Sequence, residues 1–142
     1  MLLPPPGQNA LPTPVSTMSF DTTQELLWAG NEYGRVSSFY GTDMQRYTSF
    51  KAGAGPVRQL LFHDKGVIAL CSTSVHMAMR RGPALWHIAN IEMKDLRCMS
   101  YTSKGTSEIL VAGLQDVMFT VDVDKGTVTK QVALYPDLDE LR

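Results

Sequence analysis

The chain has 142 residues, of which 44% are hydrophobic and 19% are charged, and its formal net charge is −1. This length suits one domain, and the apolar content is enough to build a packed core. A nearly neutral chain lacks the basic field that attracts nucleic acid or an anionic membrane, and its apolar runs fall well short of the ~20 residues that span a bilayer.

The first 14 residues contain five of the eight prolines. Proline has no backbone N–H group and a fixed φ, so this stretch cannot form a central strand. We predict an extended arm over residues 1–14. It has neither the charged start nor the apolar core of a signal peptide, and nothing in it predicts secretion.

Three repeats follow the arm, at spacings of 42 and 39 residues, and they start at Val15, Val57 and Leu96. Each repeat has an aromatic residue five positions later, then an apolar run that ends in two small residues, then a further apolar segment and a glycine. The aromatic residues are Phe20, Phe62 and Tyr101. A period of about 40 residues with four short strands is typical of a propeller blade of the WD40 type.

The first predicted blade covers residues 15–54, and a glycine-rich break separates it from the second blade at 55–93. We predict four strands in each. In the first blade they cover residues 15–20, 26–29, 35–40 and 45–50. In the second blade they cover residues 57–62, 67–71, 75–80 and 84–88. The continuously apolar second strand of each blade indicates an element that is covered on both faces.

The third predicted blade covers residues 94–134, and a polar, acidic tail follows at 135–142. Its strands are predicted at residues 96–101, 109–112, 117–123 and 128–134. A long polar turn at 102–107 is expected to displace the second of these strands by two positions.

Two dipeptides of standard WD40 blades, Gly-His before the first strand and Trp-Asp after the third, do not occur here. The Trp-Asp positions are occupied by Phe39-Tyr40, Met79-Arg80 and Val121-Asp122. The usual His/Asp hydrogen-bond network therefore cannot form, and we expect the blades to be held by packing alone. A small two-sheet β-sandwich is the competing fold, although it does not require three repeats in one register.

Three blades cannot close a ring. The sequence therefore predicts an all-β chain that forms a partial β-propeller, namely three four-stranded blades of a seven-bladed ring. Its two end blades would expose apolar faces, and the remaining blades would have to come from further sequence or from a partner.

Several motifs fall in order, and at matching spacings, on one known family. They cover residues 27–41, 45–50, 79–82, 109–116 and 121–123. Through them the chain resembles the propeller region of the catalytic subunits of poly(A)-specific nuclease (PAN) deadenylation complexes. The resemblance extends over about residues 14–134.

The resemblance implies a protein that starts with a WD40-like propeller and continues into an inactive ubiquitin-hydrolase-like domain and a 3′–5′ exonuclease domain that uses Mg²⁺. It implies shortening of mRNA poly(A) tails in the cytoplasm, with P-bodies as a further location. The implied partners are a pseudokinase-like regulatory subunit and, indirectly, poly(A)-binding protein on poly(A) RNA. None of the exonuclease carboxylates can be assigned to these 142 residues.

The residues themselves predict no catalytic, cofactor or metal site. The acids are scattered over turns, and the spacings of His63, His76 and His87 are not those of metal ligands, so we interpret them as surface or rim residues. Cys71 and Cys98 lie in apolar runs without CxxC spacing and are expected to be reduced core residues of a cytosolic protein.

The best candidate contact for a partner or RNA is the pair Arg80 and Arg81 at a strand end, with Arg35 and Arg58 elsewhere in the chain. The ordinary alternative is a solvated blade rim. We therefore predict a non-catalytic scaffold and docking surface of a deadenylase subunit. An autonomous small β-domain that binds another protein is the alternative.

Overall fold

The computed structural model describes residues 13–89 and 94–134. These residues form three four-stranded antiparallel sheets, and each sheet uses four consecutive strands. No helix occurs among them. The all-β prediction with three blades is therefore confirmed. Most of the predicted arm, and the whole of the predicted tail, lie outside the described residues.

Blade 1 is the sheet β1-β2-β3-β4, in chain order. Its strands are β1 (Val15–Phe20), β2 (Leu26–Asn31), β3 (Arg35–Tyr40) and β4 (Arg46–Lys51). β2 alternates between buried and half-buried residues because the face that contains Leu26 and Trp28 packs against the next sheet.

Blade 2 is the central sheet, and every residue of its second and third strands is buried. Its strands are β5 (Val57–His63), β6 (Gly66–Cys71), β7 (Val75–Ala78) and β8 (Ala84–Ile88). The third strand is shorter than the alternation in the sequence indicated. Met79 and Arg80 belong to the turn that follows it.

Blade 3 consists of β9 (Leu96–Thr102), β10 (Gly105–Gly113), β11 (Val117–Asp122) and β12 (Thr127–Ala133). The long turn predicted at 102–107 is wrong. The chain turns tightly between Thr102 and Gly105, where φ is +73°, and the strand then continues with an irregularity before Ile109.

The first strands of the blades, β1, β5 and β9, lie side by side, and the fourth strands are the outer edges. The turns after the first and third strands of each blade lie on one rim, here called the first rim. The second rim carries the turns after the second strands and the connections between blades. Ion pairs join turns of different blades on the first rim.

Two separate cores lie between the three sheets. The first junction, between blades 1 and 2, contains Leu26, Trp28, Val36, Ala52, Val57, Leu60, Phe62, Val67, Ala69 and Cys71. The second junction, between blades 2 and 3, contains Ile68, Leu70, Val75, Met77, Leu96, Met99, Ile109, Val111, Phe119, Val121 and Val123. Blade 2 contributes to both, which explains why its middle strands are buried on both faces.

A glycine permits the close approach of blades 1 and 2 next to the inner strands. A Cβ atom added to Gly30 of β2 would lie 2.5 Å from the Cβ atom of Val57 in β5. Beside this contact the Ser16 hydroxyl donates a hydrogen bond to the Val57 carbonyl, at 2.5 Å. The small residue at the end of the apolar run thus serves packing between blades, not only a turn.

Candidate interaction surfaces

A buried ion pair joins blades 1 and 2 on the first rim. Arg80 donates from Nε and Nη2 to the two carboxylate oxygens of Asp21, at 2.7 and 2.8 Å. The Asp21 side chain is fully buried and that of Arg80 is 7% exposed. Arg80 also donates to the His63 carbonyl at 2.7 Å, so one guanidinium contacts the first turns of both blades.

The Asp21 carboxylate has further donors. Trp28 Nε1 donates to Oδ2 at 3.0 Å, and the Thr23 amide donates to Oδ1 at 2.9 Å. Burial alone would raise the pKa of Asp21, but the hydrogen bonds from Arg80, Thr23 and Trp28 outweigh it and lower the pKa to about 2. Asp21 is therefore a permanent anion at neutral pH.

The expectation that packing alone holds the blades is wrong, because this network replaces the missing His/Asp network at the first junction. A short motif could not reveal it, since Asp21 and Arg80 are 59 residues apart. The indirect sequence signal is that Arg80 follows the alternating run from Val75 to Met79, at a position in line with His76 and Ala78.

Arg81, next to the buried Arg80, is exposed on the first rim. Its guanidinium carbon lies 5.6 Å from the centre of the Tyr47 ring, a cation–π contact between blades 2 and 1. Tyr40 packs edge-on against Tyr47, with ring centres 5.2 Å apart. We call Tyr40, Tyr47 and Arg81 the rim patch.

The two arginines predicted as partner or RNA contacts therefore have different environments. Arg80 is enclosed by protein, and its hydrogen bonds hold the fold. Arg81 presents a guanidinium over the Tyr47 ring, against which Tyr40 packs, and this surface could receive an acidic or aromatic group. The contact itself stays a prediction, now with Arg81 as its accessible member.

The histidines differ from the surface or rim residues expected. His63 and His76 are buried, at 7% and 8% exposure, and only His87 is exposed. The Nδ1 atoms of His76 and His87 are 3.0 Å apart, and the ring of Phe50 lies against His76. Burial, together with the neighbouring His87, lowers the pKa of His76. Sequence reasoning missed this pair because the two residues meet across strands β7 and β8.

The cysteine prediction is half correct. Cys71 is buried in the first junction, where burial raises the pKa of its thiol to about 11. Cys98 is exposed. The difference follows from position, because Cys98 lies on the outward face of blade 3, where no described sheet covers it.

Both end sheets present apolar side chains outward. On blade 1, Met18 and Phe20 are 59% and 60% exposed. On blade 3, a shallow groove is lined in part by Cys98, Leu110, Ala112 and Met118. Neighbouring blades would cover such faces in a longer propeller.

Among the described residues, no group of three or more His, Cys, Asp or Glu side chains is arranged to hold a metal ion. The same residues contain no helix that is long and apolar enough to cross a membrane.

Comparison with known proteins places these features in a family. Residues 9–137 match the family described as "PAN2 N-terminal". The catalytic subunit PAN2 of the PAN2-PAN3 deadenylation complex from Chaetomium globosum is 63% identical over 135 residues, which are 93% of this chain and 12% of that protein. The corresponding subunit from Emericella nidulans is 56% identical over 133 residues. The chain thus spans about an eighth of the curated relatives that it matches.

The solved structure of the Neurospora crassa Pan2 WD40 domain superposes with a TM-score of 0.82 at 52% sequence identity, over 85% of this chain and 38% of that domain. A chain of the mitotic checkpoint complex superposes with a TM-score of 0.74 at 13% identity, which shows the fold alone.

Proposed function

Because the chain belongs to the PAN2 N-terminal family, whose matching relatives are catalytic subunits of deadenylation complexes, we propose that it forms three blades of a non-catalytic WD40 scaffold in such a subunit. The scaffold would serve an enzyme that shortens mRNA poly(A) tails in the cytoplasm and in P-bodies. The exonuclease chemistry, with its Mg²⁺ ions, would belong to another part of that protein.

The observation that carries this proposal is the pair of uncovered apolar end faces on a continuous stack of sheets. Blades 1 and 3 each pack on blade 2 through a large apolar core, yet their opposite faces expose Phe20 and Cys98. The aligned region is 38% of the Neurospora domain, which leaves room there for further blades. We expect those blades to complete a seven-bladed ring.

Substitution of Ala112 on the outward face of blade 3 tests the ring. In the full-length protein, Ala112→Arg would place a long cation between blade 3 and its neighbouring blade. We expect it to lower the free energy of unfolding of the propeller by about 1–3 kcal/mol. Ser103→Arg, in the exposed β9–β10 turn, is the matched control. Hydrogen exchange of the blade 3 amides measures the effect. If Ala112→Arg behaves as the control does, the face is open to solvent and the ring proposal fails.

We further propose that the rim patch docks the regulatory subunit or poly(A) coated with its binding protein. Three observations support this: Arg81 and Tyr40 are exposed, Tyr47 is half-buried between them, and the relatives are named as subunits of a complex. The patch is too small and too weakly charged to hold bare RNA as a main binding site.

Arg81→Glu in the full-length subunit tests this docking role. The variant should degrade naked poly(A) at the wild-type rate, but should copurify less regulatory subunit or shorten protein-coated poly(A) more slowly. Arg35→Glu makes the same charge change on the second rim and should have neither effect. Equal behaviour of both variants in all assays would exclude the rim patch as the docking surface.

A further inference from the structure

The three outer edge strands differ in how they are protected against pairing with other chains. β4 has Arg46 and Lys51 at its ends, and β12 has Lys130 near its middle. β8 contains no charged residue, and neither does the chain from Gly82 to Ile91. Edge strands in natural proteins are commonly protected by charges, bulges or proline. Each of the three outer strands has one register irregularity, so the absence of charge is what distinguishes β8 and requires an explanation.

The edge of β8 is open in the described part of the chain. The strand pairs with β7 on one side, and no strand among residues 13–89 and 94–134 pairs with its other side. Its side chains are partly accessible, and Leu85, at the register irregularity of the strand, is 44% exposed. Pro83 precedes the strand, so it leaves the N–H groups of residues 84–88 intact.

Blade 3 holds β8 rigidly. The Trp86 indole donates to the Val123 carbonyl at 2.7 Å, and Ile88 packs against the core of the second junction. Gly126 permits this contact, because a Cβ atom added at this position would lie 2.3 Å from Cγ of Trp86. The φ of Gly126 is +67°, a backbone conformation that also favours glycine. A strand that is already fixed has little conformational entropy to lose when another strand binds to it.

The charges beside β8 indicate what would bind. The first-rim end of the strand shares a groove with Lys65, Asp124 and Lys125. Lys65 is 3.4 Å from Asp124, so among the residues that line this groove Lys125 is the one cation without a matching carboxylate. The nearby Asp122 does not line the groove, and its carboxylate accepts from the Lys125 amide. The complementary ligand is a short apolar strand with an acidic residue at one end. The chain's own arm is a poor candidate, because five prolines in 14 residues remove the donors that a ladder needs.

We propose that the open edge of β8 is a β-augmentation site, which adds an extended apolar segment with a terminal acidic residue, from another polypeptide, to blade 2 as a fifth strand. Backbone hydrogen bonds would supply the affinity, and the groove beside Trp86 would select the side chains. This inference goes beyond the scaffold role, since it requires neither a closed ring nor the deadenylation complex.

Synthetic peptides provide the test on the full-length protein. The probes are fluorescein-labelled octapeptides of alternating Val and Thr with one Glu, placed at either end because the orientation of the added strand is open. An N-methylated version of each peptide keeps the side chains and loses alternate N–H donors. Fluorescence anisotropy measures affinity, and hydrogen exchange reports on the amides of residues 84–88.

Two protein variants distinguish binding at the β8 edge from nonspecific binding elsewhere on the surface. Leu85→Lys places a charge on the exposed second residue of β8. Leu114→Lys makes the same change at the exposed β10–β11 turn on the second rim, where Leu114 is 66% exposed. We expect one Glu-bearing peptide to bind wild-type protein and Leu114→Lys within twofold of each other. Leu85→Lys and N-methylation should each weaken binding at least tenfold. The bound peptide should protect from exchange those amides of residues 84–88 that do not already donate to β7.

Three results would overturn the proposal. Equal binding to Leu85→Lys, or of the N-methylated peptide, would show that the contact is not a strand ladder. Failure of every peptide to bind would do so as well. In the free full-length protein, protection of those β8 amides that do not donate to β7 would show that the chain itself covers this edge.

Discussion

The two junctions of the molecule solve the same packing problem with different chemistry. The second junction combines a largely aliphatic core with neutral hydrogen bonds, from Gln59 to the backbone of Met99 and from the Tyr101 hydroxyl to the Phe62 carbonyl. Its ion pairs, Arg58 with Asp95 and Lys65 with Asp124, are accessible to solvent. The first junction is richer in aromatic rings and encloses the ion pair of Asp21 with Arg80. Equivalent positions in a repeat therefore need not carry equivalent interactions.

The difference bears on how each junction tolerates change. Apolar cores accept substitutions of similar volume at modest cost. Substitution of only one member of a buried ion pair is costly, because the remaining charge is left without a partner and without water. We therefore expect the first junction to be the more sensitive one, and the following predictions refer to the complete propeller domain, the unit solved for the Neurospora relative.

The largest effect is expected for Arg80→Met. It leaves the Asp21 carboxylate buried without its cation and should lower the free energy of unfolding by about 3–5 kcal/mol. The double variant Asp21→Asn/Arg80→Met removes the stranded charge and should recover a substantial part of this loss. Urea denaturation of the four proteins of the cycle measures both values. Equal destabilisation of the single and double variants would mean that the ion pair contributes nothing specific.

The second junction provides the matched experiment. Gln59 Nε2 donates to the Met99 carbonyl at 2.7 Å, and the Met99 amide donates to Oε1 at 2.8 Å. Gln59→Leu keeps the approximate volume and leaves both backbone groups unpaired, so we expect a loss of about 1–3 kcal/mol. The same urea assay checks it. A loss greater than that of Arg80→Met would reverse the order of the two junctions.

The strand order could be predicted from the sequence because it depends on a repeated local pattern. Val15, Val57 and Leu96 start strands as predicted, since apolar runs bounded by turn residues have few alternatives. The start of β10 could not be predicted from the sequence. Its exposed residues Gly105, Thr106 and Ser107 extend beyond the core and have the composition of a turn, so only pairing with β9 makes them a strand.

The candidate sites were less predictable, because they depend on contacts between residues far apart in the chain. Arg80 and Arg81 are neighbours in sequence, yet one is buried and the other exposed, and only the position of Asp21 decides which. Cys71 and Cys98 likewise both lie in predicted strands. Their exposure depends on whether another blade covers the sheet, which is information that no local pattern contains.

Acid titration sharpens the account of the first junction. The folded pKa of Asp21 is about 2, below its ordinary value of 3.8, so its stabilising effect is complete above pH 3.8 and is lost as the pH falls toward 2. This shift corresponds to about 2 kcal/mol. Wild-type domain should lose about that much more stability than Asp21→Asn between pH 5 and pH 2.5, as measured by urea denaturation. Parallel pH profiles would contradict the assignment of Asp21 as the titrating group.

The smallest effect concerns the histidine pair at the outer part of the first junction. Burial beside His87 lowers the folded pKa of His76 below 6.5, so the unfolded chain binds more protons and stability falls as the pH decreases through the folded pKa. The groups that face His76 are His87 and the uncharged ring of Phe50. His76→Phe preserves an aromatic ring against Phe50 and removes the titrating group. The melting temperature of this variant should therefore change less between pH 7 and pH 5 than that of the wild type. An unchanged pH dependence would assign the sensitivity of this junction to other groups.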